Sequence, residues 1–339
     1  MDTAQIVRQC RRLPGVTVRE GEDYTELLLS GSEGSGRMRF IHLFAGVTLA
    51  LISVNAPSWP APAPESSAPE AKGPLIVNYC TRGRCELMLN DNKSVFLTAG
   101  HISLTEKFAL NEYVYPGRVY EGIELFIDPE TVRHGLPVLR DGFGVELAAL
   151  REKYCPDGET YIARLPLPDT LFGQLLDNAG AESAMDTVHL KTGVIDLLAL
   201  LLHDQSQPRQ PVYYTRSQVA IAKQIEAIIT GDLSQPHTVR EFAERFSVSE
   251  SRVKNYFHGV YGQSIAQYMT GQRMLLAAKL LAQTKLSVID VAARGRYLNQ
   301  SKFSAAFRRA YACTPLEYRR SQRLSEDKVM KKQEVSDDV

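Results

Sequence analysis

The feature that most constrains this chain is a pattern written twice toward its C-terminal end. "TVREFAERFSVSESRVKNYFHGVYG" and "KLSVIDVAARGRYLNQSKFSAAFRRAYACTP" each give a short amphipathic segment, a break of a few residues and a second amphipathic segment. In the first copy Val239, Phe242 and Ala243 share one helical face, the break comes at Ser247–Val248, and Val253, Tyr256 and Phe257 point inward before Gly262. Ser249 is placed as an N-cap, with Arg252 three positions on, so only half of a capping box is available. In the second copy Val288, Val291 and Ala292 point inward, the turn falls around Gly295 to Leu298, and Asn299 caps the next helix. Phe303, Ala306, Phe307, Ala310 and Tyr311 form that helix's expected apolar side. Two short helices joined by a tight turn are the helix-turn-helix arrangement, a spacing that many helical hairpins share. Its recurrence in one chain narrows the choice.

The two copies are separated by one long amphipathic stretch, Ser264 to about Gln283. About 20 helical residues at 1.5 Å each span about 30 Å, close to the roughly 34 Å between successive major grooves on one face of a duplex. Charge points the same way. The whole chain balances 39 Lys and Arg against 39 Asp and Glu. Between Thr215 and Arg323, however, there are 17 basic residues and 7 acidic ones, so the remainder carries the opposite excess. A segregated basic region is the footprint of a polyanionic partner. At the start of the first recognition helix the side chains facing away from the core are Ser251, Lys254 and Asn255. In the second they are Gln300, Ser301 and Ser304. Lysine reaches guanine O6 and N7, and asparagine or glutamine pairs with adenine, which suits these six to base reading. Arg252, Arg296, Lys302, Arg308 and Arg309 are assigned to phosphate oxygens.

The order of "FAERFSVSESRVKNYFHGVYGQS", "YMTGQRMLLAAKLLAQTKLSVIDVA" and "YLNQSKFSAAFRRAYACTPLEYRR" resembles the DNA-binding domain of the AraC/XylS transcription regulators. The resemblance covers about 100 residues. It includes Phe257 and Gly262 in the first unit, Arg273, Ala277 and Leu280–Leu281 in the joining helix, and Ser301, Phe303, Phe307, Thr314–Pro315 and Tyr318–Arg319 in the second. Two positions depart from the family pattern: Arg296 stands before Tyr297, and Ala312 before Cys313, where the family usually has glycine. Both glycines serve turns with positive φ, which other residues adopt at a cost. Gly295, one place earlier, is an available substitute for the first; without it the second head is expected to be distorted or weaker. The resemblance implies a regulator, more often an activator acting through RNA polymerase than a repressor. "LIVNYCTRGRCELML" loosely resembles the branch similar to the pyochelin-type regulators, whose ligands differ enough to leave the effector here unidentified.

The N-terminal part reads differently. Glu26 to Leu29 and Met38 to Val54 have strand patterns, Phe40 to Val54 reading as two buried strands. "NAPSWPAPAPESSAPEAKGP" then interrupts them; a proline-rich stretch of this kind stays extended and is expected as a long loop within one β-rich domain. "LIVNYCTRGRCELMLN" reads as strand, turn at Arg82–Gly83, strand. "KSVFLTAGHISLTE" and "RVYEGIELFID" continue the pattern toward a small sandwich or barrel. After Pro129 helical spacing takes over in "GFGVELAALREKY", "DTLFGQLLDNAGAES" and "DTVHLKTGVIDLLALLLHD". The last is leucine-rich along much of its surface and must be covered by its own domain or by a twin chain.

The expected fold class is therefore α+β and multidomain: an N-terminal cupin-like β-barrel with a helical hairpin, then an all-α domain of two helix-turn-helix units joined by a long helix. The expected divisions are an effector-sensing β-rich domain at 1–165, a helical dimerisation segment at 166–204, a linker at 205–214, the DNA-binding domain at 215–323 and a disordered tail at 324–339. Expected partners are double-stranded promoter DNA, RNA polymerase, a small-molecule effector and a second copy of the chain. Cys10, Cys80, Cys85, Cys155 and Cys313 make an odd, scattered set suited to a reducing cytoplasm. No signal peptide is read at the N-terminus, and the longest apolar run, about 15 residues, is short of the ~20 a membrane span needs. Cys80 and Cys85 lack the companions of a metal site, and His101 has only Glu106 nearby, so no metal or cofactor is expected and the ligand-binding residues stay unassigned. Tyr79, Tyr113, Tyr115 and Arg84 suit a pocket or a core equally. Two other classes compete: a ligand-independent architectural DNA-binder, and a cupin-type enzyme with a helical appendage, for which a clustered ligand set is missing.

Overall fold

The computed structural model describes Val7, Arg11 and residues 13–60, 74–88, 92–106, 113–128, 131–132, 137–164, 171, 174–175, 184–205 and 211–322. It divides into two compact units, Met1–Arg216 and Ser217–Val339. The proposed tail at 324–339, Cys10, most of the proline-rich stretch and parts of the segments proposed for dimerisation and linkage lie outside the described residues.

The first unit is an antiparallel β half-barrel. Its strands are β1 (Val16–Glu20), β2 (Tyr24–Gly31), β3 (Gly34–Phe44), β4 (Val47–Asn55), β5 (Ser58–Trp59), β6 (Leu75–Met88), β7 (Lys93–Thr98), β8 (Ile102–Thr105), β9 (Tyr113–Val114) and β10 (Val119–Ile127). They are followed by α1 (Pro137–Phe143), α2 (Leu147–Tyr154), β11 (Tyr161–Ala163), α3 (Ala184–His203) and β12 (Tyr214–Thr215). The main path of the sheet runs β1-β2-β3-β4-β10-β6-β7-β12. The strands on either side of the proline-rich stretch, β4 and β6, both pair with β10.

The turn expected at Arg82–Gly83 is not there. β6 is one strand of 14 residues that changes partners along its length: Leu75–Gly83 pairs with β10, and Arg84–Met88 pairs with β7. The pairing with β10 slips opposite Glu121 and Gly122, and Gly83 takes φ 84 with the backbone of Val119 so close that a Cβ would lie 1.8 Å from its carbonyl oxygen. An irregularity plus a glycine lets a strand turn a barrel corner without ending. In the sequence the same residues look like a hairpin turn.

Strand alternation gives the sheet two apolar faces. One carries Leu27, Phe40, Ile52, Ile76, Cys80 and Tyr120. The other carries Leu49, Val77, Leu104 and Leu125 and is covered by the helices, with Leu190, Val194, Leu197 and Leu201 of α3 fully enclosed. The leucine-rich helix is therefore buried on this side by its own unit, while Val188 and Leu200 remain exposed. Its last carbonyls are capped from α2: Lys153 Nζ donates to Leu201 O (2.8 Å) and Leu202 O (2.9 Å), and Tyr154 Oη donates to Leu201 O (2.7 Å).

The second unit is helical: α4 (Arg216–Gly231), α5 (Val239–Phe246), α6 (Glu250–Tyr261), α7 (Ile265–Gln283), α8 (Val288–Arg294) and α9 (Gln300–Tyr311), with a last helical segment at 315–322. It holds two cores. Ile225, Ile229, Phe242, Val253 and Phe257 belong to the first, together with Ile265, Tyr268 and Met269 from the start of α7. Val291, Phe303 and Phe307 belong to the second, together with Met274, Ala277, Ala278 and Leu281 from the end of α7. One helix thus serves both halves. Tyr256 is only half-buried, and Ala310, expected on the apolar side, is exposed.

Both departures from glycine are resolved without a substitute. Gly295 has φ −79; Arg296 itself takes the left-handed conformation at φ 62, and Ala312 does so at φ 58 as the C-cap of α9. Gly262 occupies the matching C-cap of α6 at φ 72. A left-handed L-residue costs roughly 1–2 kcal/mol, and glycine gives part of that back through its unfolded-state entropy. Ala312→Gly is therefore expected to stabilise the helical unit by about 1 kcal/mol. Urea unfolding followed by circular dichroism would measure it, and a lowered midpoint would contradict the assignment of strain to this residue.

Candidate nucleic-acid interface

Each recognition helix begins at a capped N-terminus that fixes where its first side chains point. Ser249 Oγ accepts from Arg252 N (3.4 Å), while Asn299 Oδ1 accepts from Ser301 N (2.8 Å) and Lys302 N (3.1 Å). The preceding helices carry capping boxes, Thr238 with Glu241 and Ser287 with Asp290. The two helices are anchored at their other ends by matching aromatic groups. Phe257 stacks on Tyr261 at 4.6 Å and meets Tyr268 edge-on at 5.4 Å; Phe307 stacks on Tyr311 at 4.7 Å and meets Tyr318 edge-on at 5.5 Å. The third side of each triangle, Tyr261–Tyr268 and Tyr311–Tyr318, measures 5.1 Å in both.

On α6, Ser251, Arg252, Lys254 and Asn255 are all exposed. Ser251 Oγ lies 3.0 Å from Ser249 Oγ, and Lys254 Nζ lies 3.7 Å from Glu250 Oε2, a solvent-exposed pair that contributes little and yields readily to a stronger anion. On α9, Gln300, Ser301, Lys302, Arg308 and Arg309 are exposed, whereas Ser304 is half-buried. Two residues that the sequence pattern did not single out share these surfaces. His258 is exposed one turn beyond Lys254 and two turns beyond Ser251, and Ala305 is exposed one turn beyond Ser301. The signal for both is the i, i+4, i+7 spacing, carried past the first turn of each helix.

The turns inside the heads differ. Between the left-handed residue and the N-cap the first has one residue, Val248, and the second has two, Tyr297 and Leu298. Tyr297 packs edge-on against Phe303 at 5.6 Å, and Leu298 is fully exposed. Arg296 is exposed, but its Nη1 donates to Ser234 O at 2.6 Å, within the loop that joins α4 to α5.

In the β unit, Tyr120 Oη donates to Asn78 Oδ1 (2.7 Å) and Asn78 Nδ2 donates to Glu124 Oε1 (2.5 Å). Burial pushes the Glu124 carboxyl up to about 7, against the lowering effect of the Asn78 hydrogen bond. Cys80 and Cys85 are buried free thiols, and burial pushes Cys80 up to about 12 and Cys85 well above its ordinary value, so neither is a ready thiolate. His101 Nδ1 lies 2.8 Å from Thr98 Oγ1 in the turn before β8. Among the described residues, no three His, Cys, Asp or Glu side chains gather as metal ligands, and no helix is long and apolar enough to cross a membrane.

Residues 242–321 match the family described as "Helix-turn-helix domain", of the AraC type. The transcriptional activator RhaR of Mannheimia succiniciproducens is 27% identical over 133 residues, 39% of this chain and 47% of that protein. The virulence regulon transcriptional activator VirF of Yersinia enterocolitica is 34% identical over 79 residues, 23% of this chain and 29% of that one. The right origin-binding protein of Escherichia coli is 30% identical over 104 residues, 31% of this chain and 36% of that one. The matches thus span less than half the length of each of these relatives. Residues 242–321 are thus a helix-turn-helix domain of the AraC type.

The titration of Glu124 yields a measurable consequence. Its folded pKa lies above that of an exposed carboxyl, so the folded state favours the protonated form, and stability is lost as pH rises from about 5 through about 7. The loss is expected to be about 2–3 kcal/mol. Unfolding of the whole protein measured from pH 5 to 8, with Glu124→Gln as reference, should show the variant gaining on the wild type as pH rises. A constant difference between the two would remove Glu124 as the titrating group.

Proposed function

We propose that this protein is a sequence-specific regulator of transcription that binds double-stranded promoter DNA and responds to a small molecule held in its β-rich unit. The observation that carries the reading is the doubled recognition helix: α6 and α9 have equal length, capped starts and matching aromatic anchors, and each presents a polar stripe. Ser251, Lys254 and Asn255 on the first, with Gln300, Ser301 and Ser304 on the second, read base edges. Arg252, Lys302, Arg308 and Arg309 bind phosphates and supply affinity and salt dependence.

The regulated step is activation through RNA polymerase, a reading supported by the similarity to RhaR and VirF, both transcriptional activators. The β half-barrel acts as a cupin-like effector domain at 1–165, holding an effector of unassigned identity. Helical residues in 166–204 pair two copies, 205–214 link the parts, and the protein works in the cytoplasm. Its action is binding rather than catalysis. Effector control operates by differential affinity for two arrangements of the protein. A second reading is an architectural DNA-binder without an effector; the right origin-binding protein, to which the chain is similar over 104 residues, is named for binding an origin.

Footprinting of genomic fragments retained by the full-length protein at moderate salt separates the two. Two protected blocks about one helical turn apart are expected for the regulator, and protection without preferred fragments for the architectural protein. On a selected site Gln300→Ala is expected to cost about 1–3 kcal/mol, with far less effect on random DNA. Equal losses on both would overturn base reading by α9.

A further inference from the structure

The loop between α4 and α5 is held as a rigid acceptor. Asp232 Oδ1 accepts from Ser234 N (2.9 Å) and from Ser234 Oγ (2.5 Å), and Gln235 N donates to Asp232 O (3.3 Å). Three successive carbonyls of this loop are taken by two guanidinium groups. Arg273, from the middle of α7, donates Nε to Leu233 O (3.2 Å) and Nη2 to Gln235 O (3.3 Å). Arg296, from the turn of the second head, donates Nη1 to Ser234 O (2.6 Å).

We propose that Arg296 is a positioning residue that clasps the second reading head to the loop preceding the first, and so sets the spacing of the two heads on DNA, rather than a phosphate contact. The clasp crosses between the two separate cores, at a point where α7 is otherwise their shared element. It explains why the chain keeps a strained arginine where glycine would fit the turn more easily: glycine has no donor to reach Ser234. A planar guanidinium is weakly hydrated and suited to carbonyl acceptors, so two such groups can share one loop. Their proximity is also felt by Arg273, whose pKa is lowered by burial first and by the Arg296 charge second. Arg319 makes the related contact within the second head, donating to Leu281 O (3.2 Å) and Leu286 O (2.6 Å), but it stays inside one core; Arg296 spans two.

The proposal rests on the reading that both heads bind DNA, and the test separates the two. Arg296→Gly removes the guanidinium and relieves the turn, so it is expected to fold. Affinity for a wild-type-selected fragment is measured against salt, and again after one or two base pairs are inserted between the protected blocks. Loss of a phosphate contact lowers the salt slope by about 0.9. Loss of a clasp leaves the slope unchanged and relaxes spacing: the insertion should cost the wild type about tenfold or more and the variant about threefold or less. A lowered slope with spacing preference intact overturns the proposal. Hydrogen exchange of the free protein is a second readout that needs no DNA, with faster exchange expected at residues 233–237 in the variant. If the wild type protects no second block, the two-headed reading fails on its own account and exchange decides the clasp; unchanged exchange then overturns it.

Discussion

The helical unit depends on how a recognition helix is held at its C-terminal end. A helix of 12 residues is too short to be stable alone in water, and its orientation must come from packing. Here each is fixed by a phenylalanine enclosed between two tyrosines, and the same three positions recur fifty residues on: Phe257 and Phe307, Tyr261 and Tyr311, Tyr268 and Tyr318. Ring pairs of this geometry contribute about 0.5–1.5 kcal/mol beyond the area they bury, and they also dictate angle. Because the third ring comes from the next helical segment, the anchor couples each recognition helix to its C-terminal neighbour. The caps at the opposite ends then decide which side chains lead.

Arginine plays two parts in such a frame. On the outer faces of α6 and α9 it offers diffuse positive charge to solvent. Elsewhere, Arg273, Arg296 and Arg319 satisfy backbone carbonyls that end helices or form loops, a task that needs several donors in a fixed plane. Composition cannot separate these uses. The net excess of basic residues in this half therefore overstates the number of side chains free to contact a partner directly, since some of their donors are committed to holding the fold.

Much of the helical unit was legible because its signals are local. Phe242, Val253, Phe257, Phe303 and Phe307 announce their helix faces by spacing alone, and Ser249 and Asn299 announce the starts. The features that escaped depend on long-range partners. The corner at Gly83 needs the backbone of Val119, 36 positions away, to be understood as a bend rather than a turn. Arg296 looks like any basic residue next to a recognition helix until Ser234 is found beside it. Ser304 and Ala310 show the limit of assigning faces by periodicity, because a residue at the margin of an apolar stripe is turned in or out by its neighbours. In the β unit, alternation revealed most strands, but neither the sheet order nor the Tyr120–Asn78–Glu124 chain can be read from one dimension.

The division of the helical unit into two cores bears on how such a molecule can change over time. Substitutions that reshape one head repack only its own cluster, since α7 gives Ile265, Tyr268 and Met269 to one and Met274, Ala277 and Leu281 to the other. Inheritance can then act on the halves separately. One can keep faith with an old recognition sequence while the other explores a new one, and an extra residue such as Leu298 is admitted on one side without disturbing the aromatic anchor of its twin.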